Sequence, residues 1–181
     1  MDALTGEIKN KYEETASFNY DDMKGHWAED AALKLAGIQV GFNGTSLKPQ
    51  KYVTQSEFLR LASSGVYGYY YNNYSDEELY KDLISLKIIS EEEKNPSLKI
   101  SREDAFIYII RFAGLEKVAK LENIYKIDYA DSALLSKGKI GYCAILSGLG
   151  VICGDGGKLR PKDNLTRAEA LTVLYRYLLT V

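Results

Sequence analysis

The chain has 181 residues, 46% hydrophobic and 27% charged, with a net charge of −2. That is enough apolar material for a real core, and the charge offers no pull toward nucleic acid. No apolar run approaches the roughly 18 residues that cross a bilayer, so no membrane insertion is expected. One histidine, His26, and two cysteines, Cys143 and Cys153, cannot supply a four-ligand metal site, and no metal or cofactor is expected. The cysteines read as small buried side chains in preference to a disulfide. Tyrosine is the anomaly, 15 residues against one tryptophan. A ring with a polar tip suits the edge of a core first, and a wet interface or sugar surface second.

Residues 1–17 are polar, with Ile8, Tyr12 and Ala16 at helical spacing, and read as a leading helix or linker. A first unit, 18–62, opens on Tyr20-Asp21-Asp22 and leads into a helix with Trp27, Ala31, Leu35 and Ile38 on one face. Asp22 is placed as a cap or anchor, and Gly37 as the left-handed residue closing the helix. Gly41 and Gly44 allow a tight loop. A second helix starts at Thr54, with Phe58, Leu59 and Ala62 inward. A Tyr-rich connector, 63–75, offers aromatic platforms for a ligand or a strap across a groove. The second unit, 76–114, opens with the capping box Ser75-x-x-Glu78 and Leu79, Leu83 and Leu86. Ile88 to Glu93 replaces the glycine-rich loop, and Glu91-Glu92-Glu93 reads as a solvated run. A strongly apolar helix follows Ser101, closed by Gly114. A linker, 115–128, precedes the third unit, 129–181. That unit opens on Tyr129-Ala130-Asp131, carries Tyr142, Leu146 and Leu149 on one helix, and matches Gly150, Gly154 and Gly157 to Gly37, Gly41 and Gly44. Its last helix starts at Thr166.

The three second helices share one signature. Val53-Thr54-Gln55-Ser56-Glu57, Ile100-Ser101-Arg102-Glu103-Asp104 and Leu165-Thr166-Arg167-Ala168-Glu169 each place a hydroxyl after an apolar residue and an acid three positions on. Pro49, Pro96 and Pro161, the only three prolines, each stand five residues before the hydroxyl. Thr54/Glu57, Ser101/Asp104 and Thr166/Glu169 therefore read as capping boxes. A two-helix unit cannot bury its own apolar face, so the three must share a core. Arg102 and Arg167 sit where the helix dipole disfavours a cation. Either each pairs with a carboxylate from another unit, such as Asp22 or Asp131, or it holds an anionic ligand together with free helix-start N–H groups. Gln55 takes that place in the first copy, without charge.

The Tyr20-x-Asp22-Met23-x-Gly25-His26-Trp27-Ala28 opening, Gly37 to Pro49, and above all Leu165-Thr166-Arg167-Ala168-Glu169-Ala170 resemble the S-layer homology (SLH) domain, and the resemblance covers about residues 18–181. It implies a mainly α fold, three helix-loop-helix repeats in one pseudo-threefold bundle with grooves between repeats. It implies non-covalent anchoring of a bacterial surface protein to the cell wall, outside the cell, through secondary cell-wall polysaccharide. The secretion signal is expected to lie outside this sequence. The polysaccharide often carries a pyruvate ketal, whose carboxylate suits an arginine, so Arg102 and Arg167 become the leading ligand contacts. The Gln55 groove is expected to be weak or empty. Asp22 and Asp131 match the family's aromatic-x-Asp, with Asp76 a degenerate second copy. Trp27 reads as core in preference to a sugar platform, and Gly41 and Gly154 complete the candidate ligand set. The alternative function is a surface-lattice module with residues 67–74 as a protein interface. Catalysis is not expected, because the acids lie in caps or in the glutamate run and do not form an opposed pair of split pKa.

Overall fold

A computed structural model describes residues 18–181; the leading segment predicted over 1–17 lies outside the described residues. Seven α-helices are formed among them: α1 (Glu29–Gly37), α2 (Gln55–Val66), α3 (Asp76–Ser85), α4 (Arg102–Phe112), α5 (Glu116–Ala119), α6 (Ile140–Gly148) and α7 (Arg167–Leu178). Short 3-10 turns stand at Asp21–Met23, Tyr69–Asn73 and Ser132–Leu134. Extended pairing among the described residues is confined to isolated bridges, so the fold is mainly α.

The helices that follow the repeated motif, α2, α4 and α7, touch one another pairwise at the centre. Phe58, Phe106, Ile109, Leu171 and Leu174 are all buried there. Helix α1 of the first unit packs on α7 of the third, and α6 of the third packs on α4 of the second. Each apolar face is thus covered by a neighbour, as the sharing of one core required.

The axis is written in hydrogen bonds. The residue before each cap reaches another copy of itself: Val53 N–H donates to Leu165 O (2.9 Å), Leu165 N–H to Ile100 O (2.9 Å), and Ile100 N–H to Val53 O (3.2 Å). The cycle closes after three steps. A second cycle lies just outside it. Ala168, Glu103 and Ser56, each at the second position of its helix, donate to Pro49 O, Pro161 O and Pro96 O at 3.1, 3.0 and 3.2 Å. The first-position N–H groups of Arg167, Arg102 and Gln55 take Lys51 O, Asp163 O and Leu98 O. Each proline also begins a turn closed by Lys51 to Lys48, Leu98 to Asn95 and Asp163 to Arg160, which suits its fixed φ.

Several sequence expectations are corrected. Gly37 is not the left-handed residue: that conformation falls on Gln39 (φ 60°), Lys87 (φ 60°) and Gly150 (φ 72°). Val40, Ile88 and Val151 then donate to Leu35 O, Leu83 O and Leu146 O. By this pairing Gly37 corresponds to Gly148, and the glycine-for-glycine match with Gly150 is two residues out. Ile38, Leu86 and Leu149 are exposed, while Val40, Ile88 and Val151 are buried. Trp27 also leaves the core, at 63% exposed. The chain turns at His26, whose carbonyl accepts from Glu29 N–H and whose Nδ1 accepts from Ala28 N–H, so the phase of α1 does not extend back to Trp27. The tyrosine connector packs inward. Tyr71 is buried, with ring centroids 4.9 Å from Tyr70 and 4.6 Å from Tyr74, and its hydroxyl donates to Asp82. Both cysteines are free; Cys143 is buried with its thiol pushed up to about 12 by burial, but Cys153 is exposed.

Candidate ligand groove and the three corners

Each motif closes a corner between units. The capping boxes at Thr54/Glu57, Ser101/Asp104 and Thr166/Glu169 are complete, hydroxyl to N–H and acid back to the cap. The two glutamates divide their oxygens. In Glu169, Oε2 accepts from Thr166 N–H, while Oε1 accepts from Arg102 (2.9 Å) and Arg160 (2.8 Å). In Glu57, Oε2 accepts from Thr54 N–H, while Oε1 accepts from Arg167 (2.6 Å) and Lys51 (2.9 Å). Burial pushes the Glu57 pKa up, but the hydrogen bonds from Arg167, Thr54 and Lys51 outweigh it and hold the carboxyl below the usual range.

The motif arginines do pair across units, but with the next motif's capping glutamate and not with Asp22 or Asp131. Arg102 also donates from Nε to Leu159 O (2.8 Å), and Arg167 to Leu47 O (3.0 Å) while lying 4.6 Å over the Phe42 ring. Arg102 is 7% exposed, and burial lowers its pKa against the opposing pull of Glu169. Because the first two N–H groups of each motif helix go to a neighbour's carbonyls and the third to the cap, no anion can share them. The expectation of a ligand held jointly by arginine and free helix-start N–H groups is overturned.

The Gln55 corner is closed differently. Its Nε2 donates to Glu93 O and Tyr108 OH, and its Oε1 accepts from Tyr80 OH and Asn95 N–H. All four valences of the amide are used at 1% exposure. Asp104, one methylene shorter than the glutamates, bonds to Ser101. The Glu91-to-Glu93 run is not wholly solvated either, since Glu93 grips Arg111 through both oxygens at 2.8 and 2.9 Å.

Asp22 and Asp131 face inward to their own loops. Asp22 accepts from Leu47 N–H and Lys48 N–H, both at 2.7 Å, and from Ser46. Asp131 accepts from Leu159 N–H and Arg160 N–H, both at 2.8 Å. Asp76 takes no such role: it meets Arg60 at 2.6 Å. Gly41 lies under an aromatic pair, where an added Cβ would fall 2.3 Å from Tyr20 Oη. Gly154, in the left-handed region, lies beneath Tyr129 and also borders the groove described next.

A groove of about 890 Å³ opens at the Arg102–Glu169 corner. Its walls combine Trp27 and Tyr52 of the first unit with Arg102 of the second and the loop and last helix of the third. Arg160, Lys162 and Arg176 add three more cations, against Asp155, Asp163 and Glu169. These three were missed in the sequence; for Arg160 the available signal was that it and Lys48 both directly precede a proline and follow a glycine-containing loop. Lys162 reaches Glu103 (3.1 Å) and Ser136. Among the described residues no cluster of His, Cys, Asp and Glu could hold a metal ion, and no helix is long and apolar enough to cross a membrane.

Residues 19–59 and 136–171 match the S-layer homology domain. Over these two stretches the chain is similar to S-layer homology domains, modules that typically anchor proteins to the cell wall. The chain is 29% identical to an amylopullulanase of Thermoanaerobacterium thermosulfurigenes, over 97% of this chain and 11% of that protein. It is 28% identical to the exoglucanase XynX of Acetivibrio thermocellus, over 95% of this chain and 17% of that protein. The chain spans less than a fifth of either relative.

Proposed function

We propose that this chain anchors a bacterial surface protein non-covalently to the wall by binding secondary cell-wall polysaccharide. The pyruvate-ketal carboxylate is held at the Arg102 corner, and Arg167 marks a second such corner. Residues 76–114 act as a degenerate middle repeat. The observation that carries this reading is the groove itself, lined by an exposed indole and a tyrosine ring together with four cations and three acids. Aromatic faces suit sugar rings, and guanidinium groups suit carboxylates. The Gln55 corner, with its amide spent on the protein, takes no ligand, and Asp22 and Asp131 serve by holding loops. The chain itself acts as a binding module and performs no catalysis.

Calorimetric titration with pyruvylated and with depyruvylated wall polysaccharide tests the reading. Tighter binding of the pyruvylated form is expected. Equal affinity for the two would remove the carboxylate from the mechanism, and no binding of either would remove the glycan.

A further inference from the structure

We infer that Arg160, a loop residue outside the repeated motif, is the side chain that meets the ligand carboxylate, while Arg102 positions it. The inference rests on the glycan-anchoring reading above and names the recognition residue of that site.

The two arginines share Glu169 Oε1 but differ in freedom. Arg102 is dry and doubly tied, to Leu159 O and to Glu169. Moving it toward a ligand would strand a buried carbonyl and a half-buried carboxylate, each a cost of the kind unpaired buried groups incur. The Arg160 side chain is 38% exposed and lines the groove. Its Nη2 touches Glu169, with Asp155 at 3.8 Å and Asp163 near Nη1 at 4.0 Å, while its Nε is buried with no hydrogen-bond partner. Buried donors are nearly always satisfied, so an orphan on a groove wall calls for an acceptor that arrives there. A turn of this long side chain presents Nε and an Nη together, the two-pronged geometry that a carboxylate accepts.

The backbone is built to aim the residue. Arg160 has φ 52°, a conformation that side chains other than glycine adopt at a cost and that concentrates at functional positions. Asp131 secures it by accepting the Arg160 N–H. The first unit repeats the device: Lys48 has φ 55°, precedes Pro49, and gives its N–H to Asp22. The middle unit has neutral Asn95 at that place, with its N–H on Gln55. A cation before the proline thus accompanies an arginine across the corner, and a neutral residue accompanies Gln55.

The test measures the binding of the full chain to pyruvylated and depyruvylated wall polysaccharide for the wild type, R160Q and R160K. Loss of a charge-assisted pair predicts that R160Q binds the pyruvylated glycan roughly tenfold to a hundredfold more weakly. Its affinity for the depyruvylated glycan should be unchanged, which general structural damage would not allow. R160K keeps the charge without the fork and should fall between. A wild-type preference for the pyruvylated glycan that survives in R160Q overturns the inference and leaves the anchoring reading standing. A wild type that binds both glycans equally overturns the carboxylate reading and the inference with it.

Discussion

Gln55 looks like a lapse in the motif, yet its surroundings are adapted to it. The amide donates twice and accepts twice, which no arginine can do because a guanidinium has no acceptor. Restoring the motif with Gln55→Arg would leave Tyr80 OH and Asn95 N–H unpaired in a buried site, and would set a cation against Asp104, whose carboxylate is one methylene short of the glutamate at the other corners. Each stranded group costs about 1–3 kcal/mol. Gln55→Arg is therefore expected to destabilise the chain by about 2 kcal/mol or more, seen as a lower urea midpoint. A variant as stable as the wild type would show that the corner is plastic. Burial also raises the Tyr108 phenol, to about 12, against the hydrogen bond from Gln55, so the phenol that the amide contacts stays neutral at ordinary pH.

At the scale of the helices, the capping boxes are where local and long-range order meet. Glu57 caps α2 with one oxygen and binds another unit's Arg167 with the other. Glu103 of α4 takes Ser136 N–H and Lys162 from the third unit. Burial raises the pKa of both, and the hydrogen bonds overcome it, so both are depressed in the folded chain. A depressed carboxyl stabilises fully above its unfolded pKa, about 4.3 for glutamate, and the contribution is lost as pH falls through the folded value. The melting temperature should therefore be flat near neutrality and fall below about pH 4.5, with Glu57→Gln and Glu103→Gln flattening the acid limb. An unchanged acid limb in both variants would assign acid sensitivity elsewhere. The capping half of these residues was legible in the sequence, because a hydroxyl and an acid three apart define it within one turn. The pairing half was not: Arg102 and Glu169 stand 67 positions apart, and spacing along one helix says nothing about them. The same limit explains Ile38, Leu86 and Leu149. A helical stripe read past the last turn counts them as core, whereas the left-handed residue that follows swings the chain and buries Val40, Ile88 and Val151 instead. Trp27 is the mirror case at the start of α1, and its misplacement hid the groove wall it forms.

At the scale of the whole molecule, the residues before the three caps form a closed cycle of hydrogen bonds, and that distinguishes this bundle from an open array of repeats. In a linear solenoid each unit meets only its neighbours, and terminal units can fray while the rest persist. Here the first unit's α1 rests on the last unit's α7, Val53 bonds to Leu165, and Pro49 caps Ala168. Removing residues 162–181 would take away α7, one third of the inner cycle, the cover of α1, and the partners of Arg102 and Glu57 together. The remaining chain should lose not a third of its helix but nearly all of it, because α1 would have no surface to bury against and α2 and α4 would each expose a side of the core. For the intact chain, urea unfolding followed by far-ultraviolet circular dichroism and by Trp27 fluorescence should give one coincident transition, the mark of a single cooperative unit. Trp27 lies on the first unit and reports the groove, so a fluorescence change well before the loss of helix would show the first unit peeling away alone. Retention of native-like helix after deletion of residues 162–181 would show the same from the other end. Either result would replace the closed ring with a string of independent repeats, and with it the argument that a groove built from three units exists only when all three are folded.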